Sequence, residues 1–329
     1  MNSFGRFFRV HIFGESHGNG LGVCIDGCPA GIPLSANDFS DDLLRRKSGA
    51  KGTTPRLESD EPEFLSGIYN GFSTGAPVAV LFRNENTRSA DYRNFSAVPR
   101  PGHADFTANK KFYGFNDPRG GGHFSGRITL GLVVAGVIAK KIIAPANVFA
   151  KLLTVGGSSD IHGKIDEAIS ERDSVGGLIQ CTVSNLPAGL GSPFFDGLES
   201  VMAHVLFSIP GVKGVEFGAG FAAAGMKGSE HNDVFISTSG KTLTNNAGGI
   251  NGGISNGNDI TLNVAVKPTA SIGKEQSTFN FETQQIEIFK AEGRHDVCIA
   301  LRVPVIVEAA VAVAIADFVV TENNNRFTV

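Results

Sequence analysis

The sequence has no tryptophan, only three tyrosines and four cysteines, and a net charge of −3 over 329 residues. So small a net charge gives no reason to expect a nucleic-acid partner. The cysteines match no zinc-ligand spacing and follow no signal peptide; they are Cys24, Cys28, Cys181 and Cys298. We therefore expect no metal, and a cytoplasmic protein whose reduced thiols pack in its core.

Linkers and low-complexity segments are also lacking, so we predict one domain over residues 1–329. Hydrophobic residues make up 41% of the chain, enough for a sizeable core. Two runs, residues 129–143 and 303–320, are almost entirely apolar. The first ends in two lysines, and the second is interrupted by Pro304 and two acidic residues. Both predict helices buried inside a layered protein, and neither predicts a membrane span.

The rest of the chain mixes strands with helices. Alternating apolar residues predict strands at residues 8–13, 21–25, 67–83, 176–185, 214–217 and 260–266. Capping residues and helical periodicity predict helices at residues 35–49, 160–172 and 197–208. The many Gly and Asn of residues 245–258 predict irregular turns. Each apolar helix follows a Gly-Arg pair, at residues 126–127 and 293–294, which would mark an internal repeat of strand–helix units.

Glycine is abundant, and in residues 99–130 it occurs together with histidine and arginine. Gly120-Gly121-Gly122 permits positive φ angles and a close approach to a ligand, and Ser125-Gly126-Arg127 then opens an apolar helix. This pattern predicts an anion site. His103 can exchange a proton near neutral pH, and Asp105, two residues later, can orient its ring. We infer chemistry on a phosphate-bearing ligand.

Basic residues gather in the same part of the chain, since residues 1–130 hold 15 basic and 13 acidic side chains. A predicted helix ends with Arg45 and Arg46, and Lys51 and Arg56 follow. These cations either offset the helix dipole or form a wall that receives a polyanionic small molecule. The polar loop 84–100 predicts a flexible lid and carries three more arginines, Arg88, Arg93 and Arg100.

Three further positions are functional candidates. His17 lies on a turn between two strands, where a functional role and a structural role are about equally expected. The segment Lys267-Pro268-Thr269-Ala270-Ser271 ends a strand with a lysine and two hydroxyls, as a phosphate or a flavin phosphate tail would require. Asp296 directly precedes apolar sequence. Residues 218–223 fit a dinucleotide-binding fingerprint, but glycines interrupt any following helix, which favours a chance match.

Three motifs carry a resemblance to a known family. They are Gly14-Glu15-Ser16-His17-Gly18, the segment from Gly122 through Ser125-Gly126-Arg127 to Thr129, and Arg294-His295-Asp296-x-Cys298 leading to Glu308. Residues 100–105, 248–255 and 267–271 add RPGHAD, GGIxGGIS and KPTxS. With these motifs in this order, the chain resembles the chorismate synthases from residue 9 through residue 317.

The resemblance implies an α+β fold, in which antiparallel sheets enclose buried helices in a β-α-β sandwich, and a homotetramer. It also implies a lyase of the shikimate pathway, which supplies the aromatic amino acids. The reaction would be the last step, an anti-1,4-elimination of phosphate from 5-enolpyruvylshikimate 3-phosphate that gives chorismate. Reduced FMN would be required although no net redox change occurs. NADPH or a separate flavin reductase would supply the electrons, and the sequence leaves both open.

By motif match, the resemblance also assigns roles to residues. His17 would protonate the departing phosphate, His103 would lie by the reduced flavin, and Asp296 would assist proton removal through flavin N5. The substrate charges would be held by Arg46, Arg127 and Arg294, with Arg46 also at the position linked to NADPH. Flavin contacts would come from His123, Phe124, Ser125, Pro210, Gly211, Gly252, Lys267, Pro268, Thr269, Ala270, Ser271 and Arg294.

The chain departs from the family pattern in places. His123-Phe124 stands where most relatives have Arg-Ser, Ile128 where they usually have Glu, and residues 154–177 form a shorter region. These changes alter polar contacts around the ligands while the fold should survive. Two rival hypotheses stay open on sequence alone: a nicotinamide-dependent oxidoreductase that uses residues 218–223, and a non-catalytic phosphate- or flavin-binding protein.

Overall fold

The computed structural model describes residues 2–87, 95, 97–291, 293 and 295–326. Its helices are α1 (Asn37–Arg46), α2 (Asp105–Lys111), α3 (Thr129–Ile142), α4 (Ile161–Ser170), α5 (Leu198–Leu206), α6 (Gly228–His231) and α7 (Pro304–Arg326). Its strands are β1 (Ser3–Phe4), β2 (Arg9–Gly14), β3 (Gly20–Asp26), β4 (Glu63–Ser66), β5 (Ile68–Tyr69), β6 (Phe72–Ser73), β7 (Val78–Arg83), β8 (Asn147–Val155), β9 (Gly177–Ser184), β10 (Val212–Phe217), β11 (Ile250–Asn251), β12 (Ile254–Ser255), β13 (Ile260–Val266), β14 (Gln276–Asn280) and β15 (Gln285–Phe289).

Two antiparallel sheets form the outer layers. The first has the strand order β1-β2-β3-β7-β4, and the second has the order β10-β13-β9-β8. Burial alternates strictly along β13, so one face of the second sheet points inward. In the register of this sheet, Val264 lies opposite Ile179, which lies opposite Leu152 of β8. Three short hairpins, β5-β6, β11-β12 and β14-β15, lie outside the two sheets.

The buried helices lie between the sheets. Helix α3 packs on β2 and β3, α7 packs on β8 and β9, and the two helices pack on each other. Close packing requires a glycine at the crossing, since a Cβ on Gly136 would lie 2.3 Å from the Cβ of Ala309. Buried residues of both sheets and both helices belong to one hydrophobic cluster. The predicted α+β sandwich of antiparallel sheets around buried helices is therefore confirmed.

Helix α7 contains a segment, Pro304–Glu322, that is apolar and long enough to cross a membrane by length and composition alone. Most of this segment is buried within the protein. Its apolar character is therefore accounted for by the core.

Two acidic residues within α7, Glu308 and Asp317, form hydrogen bonds to elements that are distant in sequence. Glu308 is 1% exposed and accepts hydrogen bonds from both terminal nitrogens of Arg45, from Lys140 and from the backbone of Ala150. Burial would raise the pKa of Glu308, but hydrogen bonding to Arg45 and the charge of Lys140 outweigh it, so this pKa is lowered. Asp317 accepts hydrogen bonds from the backbone N–H groups of residues 6–8.

The structure corrects three details of the predicted elements. Residues 67–83 are not one strand, because the chain reverses at Asn70-Gly71, where both φ angles are positive. Residues 245–258 are not wholly irregular, since β11 and β12 form a hairpin around Gly252-Gly253. The two Gly-Arg pairs also do not stand at equivalent distances from the helices. Helix α3 begins at Thr129, two residues after Arg127, whereas α7 begins at Pro304, eleven residues after Gly293. What the two halves share is a sheet followed by a buried helix.

The cysteines are free thiols, as expected. Cys28, Cys181 and Cys298 are buried and Cys24 is partly buried. Burial raises the pKa of the Cys181 thiol, so it stays protonated.

Candidate active site

Loops from both halves of the sandwich meet around a solvent-open cleft of about 210 Å³. Many of the residues singled out from the sequence line it: Arg46, Arg56, Arg100, His103, Phe124, Ser125, Arg127, Pro210, Gly211, Lys267, Pro268, Thr269, Ala270, Ser271 and Asp296. Basic and hydroxyl side chains predominate in this set. The cleft is therefore the candidate active site.

The glycine triplet forms the turn between the two candidate histidines. Gly120, Gly121 and Gly122 have φ angles of 61°, 80° and 53°, as the sequence predicts. A Cβ on Gly120 would lie 2.1 Å from Nδ1 of His17, and one on Gly121 would lie 3.4 Å from the ring of His103. A side chain at Gly120 would therefore clash with the His17 ring, whereas at Gly121 the positive φ favours glycine, and the turn lies against both His17 and His103.

His17 follows β2 and is 7% exposed. Its Nδ1 lies 3.3 Å from Oγ of Ser16, and Arg56 donates to both Oγ and the carbonyl oxygen of Ser16 at 2.9 Å. Burial, together with the positive charges of Arg56 and Arg119, lowers the pKa of His17 to about 4. The ring is therefore neutral at pH 7, and an anion bound beside it would raise its pKa.

His103 is oriented by Asp105, as its sequence context predicts. Nδ1 of His103 lies 2.6 Å from Oδ1 of Asp105, and Arg100 binds the same carboxylate through Nε at 2.7 Å and Nη2 at 2.8 Å. Burial would raise the pKa of Asp105, but the hydrogen bonds from Arg100 and His103 lower it well below its usual range. Because this carboxylate is ionised, Nδ1–H donates to it. Nε2 is then the acceptor nitrogen of the neutral ring.

Arginines form one wall of the cleft. Arg46, at the end of α1, and Arg127, before α3, share the carboxylate of Asp60 at 3.4 and 2.8 Å. Arg46 is 4% exposed, and its Nη2 also donates to the carbonyl of Gly126 at 3.0 Å. Burial, and then the charge of Arg302, lower the pKa of Arg46 to about 9. An anionic ligand would relieve this concentration of positive charge.

Two members of the predicted cationic wall lie elsewhere. Arg45 points away from the cleft to Glu308 and Asp42, and Lys51 pairs with Asp166 at the surface. Successive helical residues face different directions, so of the pair at the end of α1 only Arg46 reaches the cleft.

Asp296 binds two groups at the cleft. Its Oδ1 accepts from the backbone N–H of Thr54 at 3.0 Å, and its Oδ2 accepts from Nη2 of Arg302 at 2.7 Å. Sequence reasoning missed Asp60 and Arg302. The signal for Arg302 was available, since it is a charged residue at the start of an otherwise apolar run.

The segment after β13 gives the cleft its second polar side. Arg100 donates to Oγ of Ser271 at 3.1 Å, and Lys267 bonds the carbonyl oxygen of Gly102. Burial and the neighbouring Lys213 lower the pKa of Lys267. Oγ1 of Thr269 is buried without a hydrogen-bond partner among the described residues. A phosphate-bearing cofactor would supply acceptors here, so these residues fit such a group.

Three predicted site residues, His17, His123 and Gly252, are not among the residues that line this cleft, although His17 lies directly behind Gly120, which does. The ring of His123 instead contacts the carbonyl of Gly14 at 2.8 Å and Oδ1 of Asn2 at 3.1 Å. Gly252 lies in the turn between β11 and β12. Arg294 lies outside the described residues, as do Arg88 and Arg93 of the predicted lid.

The dinucleotide fingerprint does not form a nucleotide site. After β10, residues Gly220–Gly225 form a 3-10 turn, so no helix starts at the glycines. Together, the sandwich and its basic cleft, lined by His103 and with His17 behind Gly120 at its wall, are typical of an enzyme for a small, polyanionic substrate.

Comparisons with known proteins agree with this class. A family model described as chorismate synthase matches residues 8–320. The chain is 60% identical over 327 residues to a chorismate synthase of Chitinophaga pinensis, with 99% of this chain and 98% of the relative covered. It is 44% identical over 348 residues to one of Dehalococcoides mccartyi, with 96% of each covered. A solved structure described as chorismate synthase has a TM-score of 0.74 at 24% identity, covering 98% of both chains, and shows the same fold.

The chain therefore belongs to the chorismate synthase family, a family of carbon–oxygen lyases.

Proposed function

We propose that this protein converts 5-enolpyruvylshikimate 3-phosphate to chorismate and phosphate, with reduced FMN bound in the same cleft. The observation that carries this proposal is the position of His17 and His103 on either side of one glycine turn, beside an arginine-rich wall. An elimination of phosphate needs a proton for the departing oxygen and cations for its charge, and this cleft offers both.

The carbon–oxygen bond to the phosphate breaks in this reaction, and a ring carbon loses a proton. We assign protonation of the departing phosphate to His17, whose pKa of about 4 rises when the phosphate lies beside it. Arg56 lies within hydrogen-bond reach of the neighbouring Ser16 and adds positive charge there. Arg46 and Arg127 bind further substrate charges, and their shared partner Asp60 holds them in place.

We assign to Asp296 an assisting role in removal of the proton from the ring carbon. Thr54 and Arg302 orient its carboxylate at the cleft, which favours a fixed position for that role. His103, oriented by Asp105, presents Nε2 as an acceptor on the flavin side of the site.

FMN would be held by Phe124, Ser125, Pro210, Gly211 and residues 267–271, all of which line the cleft. The unpartnered Oγ1 of Thr269 supports this assignment. When bound, reduced FMN supplies the electron density that a ring without an acidifying carbonyl needs for this elimination. The homotetramer, the cytoplasmic location, and NADPH at Arg46 or a separate flavin reductase as electron source stay predictions.

The direct test mixes the protein with FMN, dithionite and 5-enolpyruvylshikimate 3-phosphate without oxygen. We expect chorismate, detected by its absorbance, and free phosphate. Absence of product with reduced FMN present would overturn the proposal. The rival hypothesis of a nicotinamide-dependent oxidoreductase has no support in the turn at residues 220–225.

A further inference from the structure

Arg302 lies between the 3-10 turn Ile299–Leu301 and α7, and its side chain is 11% exposed. One of its nitrogens, Nη2, binds Asp296. Its Nε is buried and has no hydrogen-bond partner among the residues that the structure describes. A buried donor without a partner is costly, so this nitrogen points to an acceptor that a ligand brings.

Arg46, at the end of α1, has the same property. Its Nε is also buried without a partner among the described residues, although Nη1 and Nη2 are bonded. Both side chains line the same cleft, and Arg302 also borders a small pocket with Gly126, whose carbonyl oxygen accepts a hydrogen bond from Nη2 of Arg46 at 3.0 Å. The two guanidinium groups therefore lie in the same part of the cleft, in agreement with the positive charge of Arg302 lowering the pKa of Arg46.

Two cations in the same part of one cleft, each with an N–H that has no partner among the described residues, are suited to bind an anion. One carboxylate or phosphate group between them would accept from both nitrogens and offset their mutual repulsion. Hydrogen bonds within the protein leave these two donors unused, whereas the corresponding nitrogens of Arg100 and Arg127 bind Asp105 and Asn84.

We propose that Arg302 and Arg46 together bind one anionic group of the substrate, which makes Arg302 a further substrate-binding residue of this site. This inference rests on the proposed function. The substrate is favoured over the flavin because Arg302 contacts Asp296 and lies near Arg46, while the hydroxyls suited to a flavin phosphate lie in residues 267–271.

The test is Arg302→Lys, which keeps the charge and can still pair with Asp296 but lacks the second, fixed donor of the guanidinium. We expect the dissociation constant of 5-enolpyruvylshikimate 3-phosphate, measured by calorimetry with oxidised FMN present, to rise by about ten- to a hundred-fold. The dissociation constant of FMN alone should change by less than about twofold. The turnover number at saturating substrate should fall much less than substrate affinity.

Arg45→Lys is the matched control, since Arg45 makes a two-pronged bond to Glu308 outside the cleft. We expect this variant to lose stability but to bind substrate normally. Arg302→Gln, which keeps an N–H donor without the charge, provides a second measurement if Arg302→Lys does not fold, and it should also weaken substrate binding.

The other outcomes overturn the inference. Weaker FMN binding with normal substrate binding would assign the anion to the flavin phosphate. A lower turnover number with both affinities unchanged would mean that Arg302 acts only by positioning Asp296. If wild-type protein makes no chorismate, the proposed function fails; if it does and Arg302→Lys binds substrate normally, only this inference fails.

Discussion

At the scale of single residues, many side chains of the cleft bind partners that are far away in sequence and come close only in the tertiary structure. The contact between His103 and Asp105 could be predicted because the two residues are close in sequence. The bridge from Asp60 to Arg46 and Arg127 could not, since it needs Asp60 in a left-handed backbone conformation with a φ of 55°. Such a conformation is uncommon outside glycine, and sequence patterns do not reveal it.

His17 gives a prediction about pH. Its pKa of about 4 makes it neutral at pH 7, and a phosphate beside it raises that pKa, so substrate binding should take up protons. Calorimetry at pH 7 in two buffers of different ionisation enthalpy measures this uptake. In His17→Asn the uptake should be smaller, and turnover should fall by about two to four orders of magnitude while FMN binding stays normal. Equal proton uptake in both proteins would show that His17 does not titrate with the substrate.

Asp296 gives a second prediction, sharpened by its ion pair with Arg302. Asp296→Asn can still accept from Thr54, but it loses its negative charge beside Arg302. Breaking a fully buried pair costs about 3–5 kcal/mol. Because Asp296 lies at an open cleft, loss of its ion pair should cost less stability than that. We therefore expect the variant to fold and bind FMN, yet to lose most of its turnover. A variant that keeps full activity, or is inactive only because it unfolds, would remove Asp296 from proton transfer.

At the scale of elements, the first apolar helix was predicted to within one residue, whereas the second was predicted at its start but continues to Arg326, beyond the apolar run that ends at residue 320. What they pack against could not be predicted. The charges that interrupt α7 are internal partners: Glu308 joins α7 to Arg45 of α1 and Lys140 of α3. Strand boundaries at residues 67–83 were missed because an Asn-Gly reversal at residues 70–71 was not recognised.

The Glu308 network predicts an effect on stability. Glu308→Gln removes the buried negative charge that binds Arg45 and Lys140, but these partners are 41% and 25% exposed and water can solvate them, so the free energy of unfolding should fall by about 1–3 kcal/mol. Urea unfolding followed by circular dichroism measures it. The control Glu63→Gln breaks an exposed pair with Arg83 and should change stability little. Equal effects of the two substitutions would contradict a supporting role for the network.

At the scale of the whole molecule, the cleft exists only because both halves of the sandwich contribute loops to it. Residues 46–60 and 100–127 come from one half, and residues 210–211, 267–271 and 295–302 come from the other. The sandwich architecture and the family could be predicted from the resemblance of the motifs. The periodicity of apolar residues predicted individual strands and helices, but not the order of the strands in the sheets. The order depends on long-range pairing such as β3 with β7 and β9 with β13, for which local patterns carry no signal.

The central claim is that the protein eliminates phosphate without net oxidation or reduction. The most direct test measures the amount of each product formed per molecule of FMN. A limiting, known amount of photoreduced FMN is supplied without oxygen, and chorismate, phosphate and the flavin spectrum are followed together. An elimination without net redox change predicts equal amounts of chorismate and phosphate, in large excess over FMN, while the flavin stays reduced. Product formed only in proportion to flavin oxidised, or no product at all, would contradict the account.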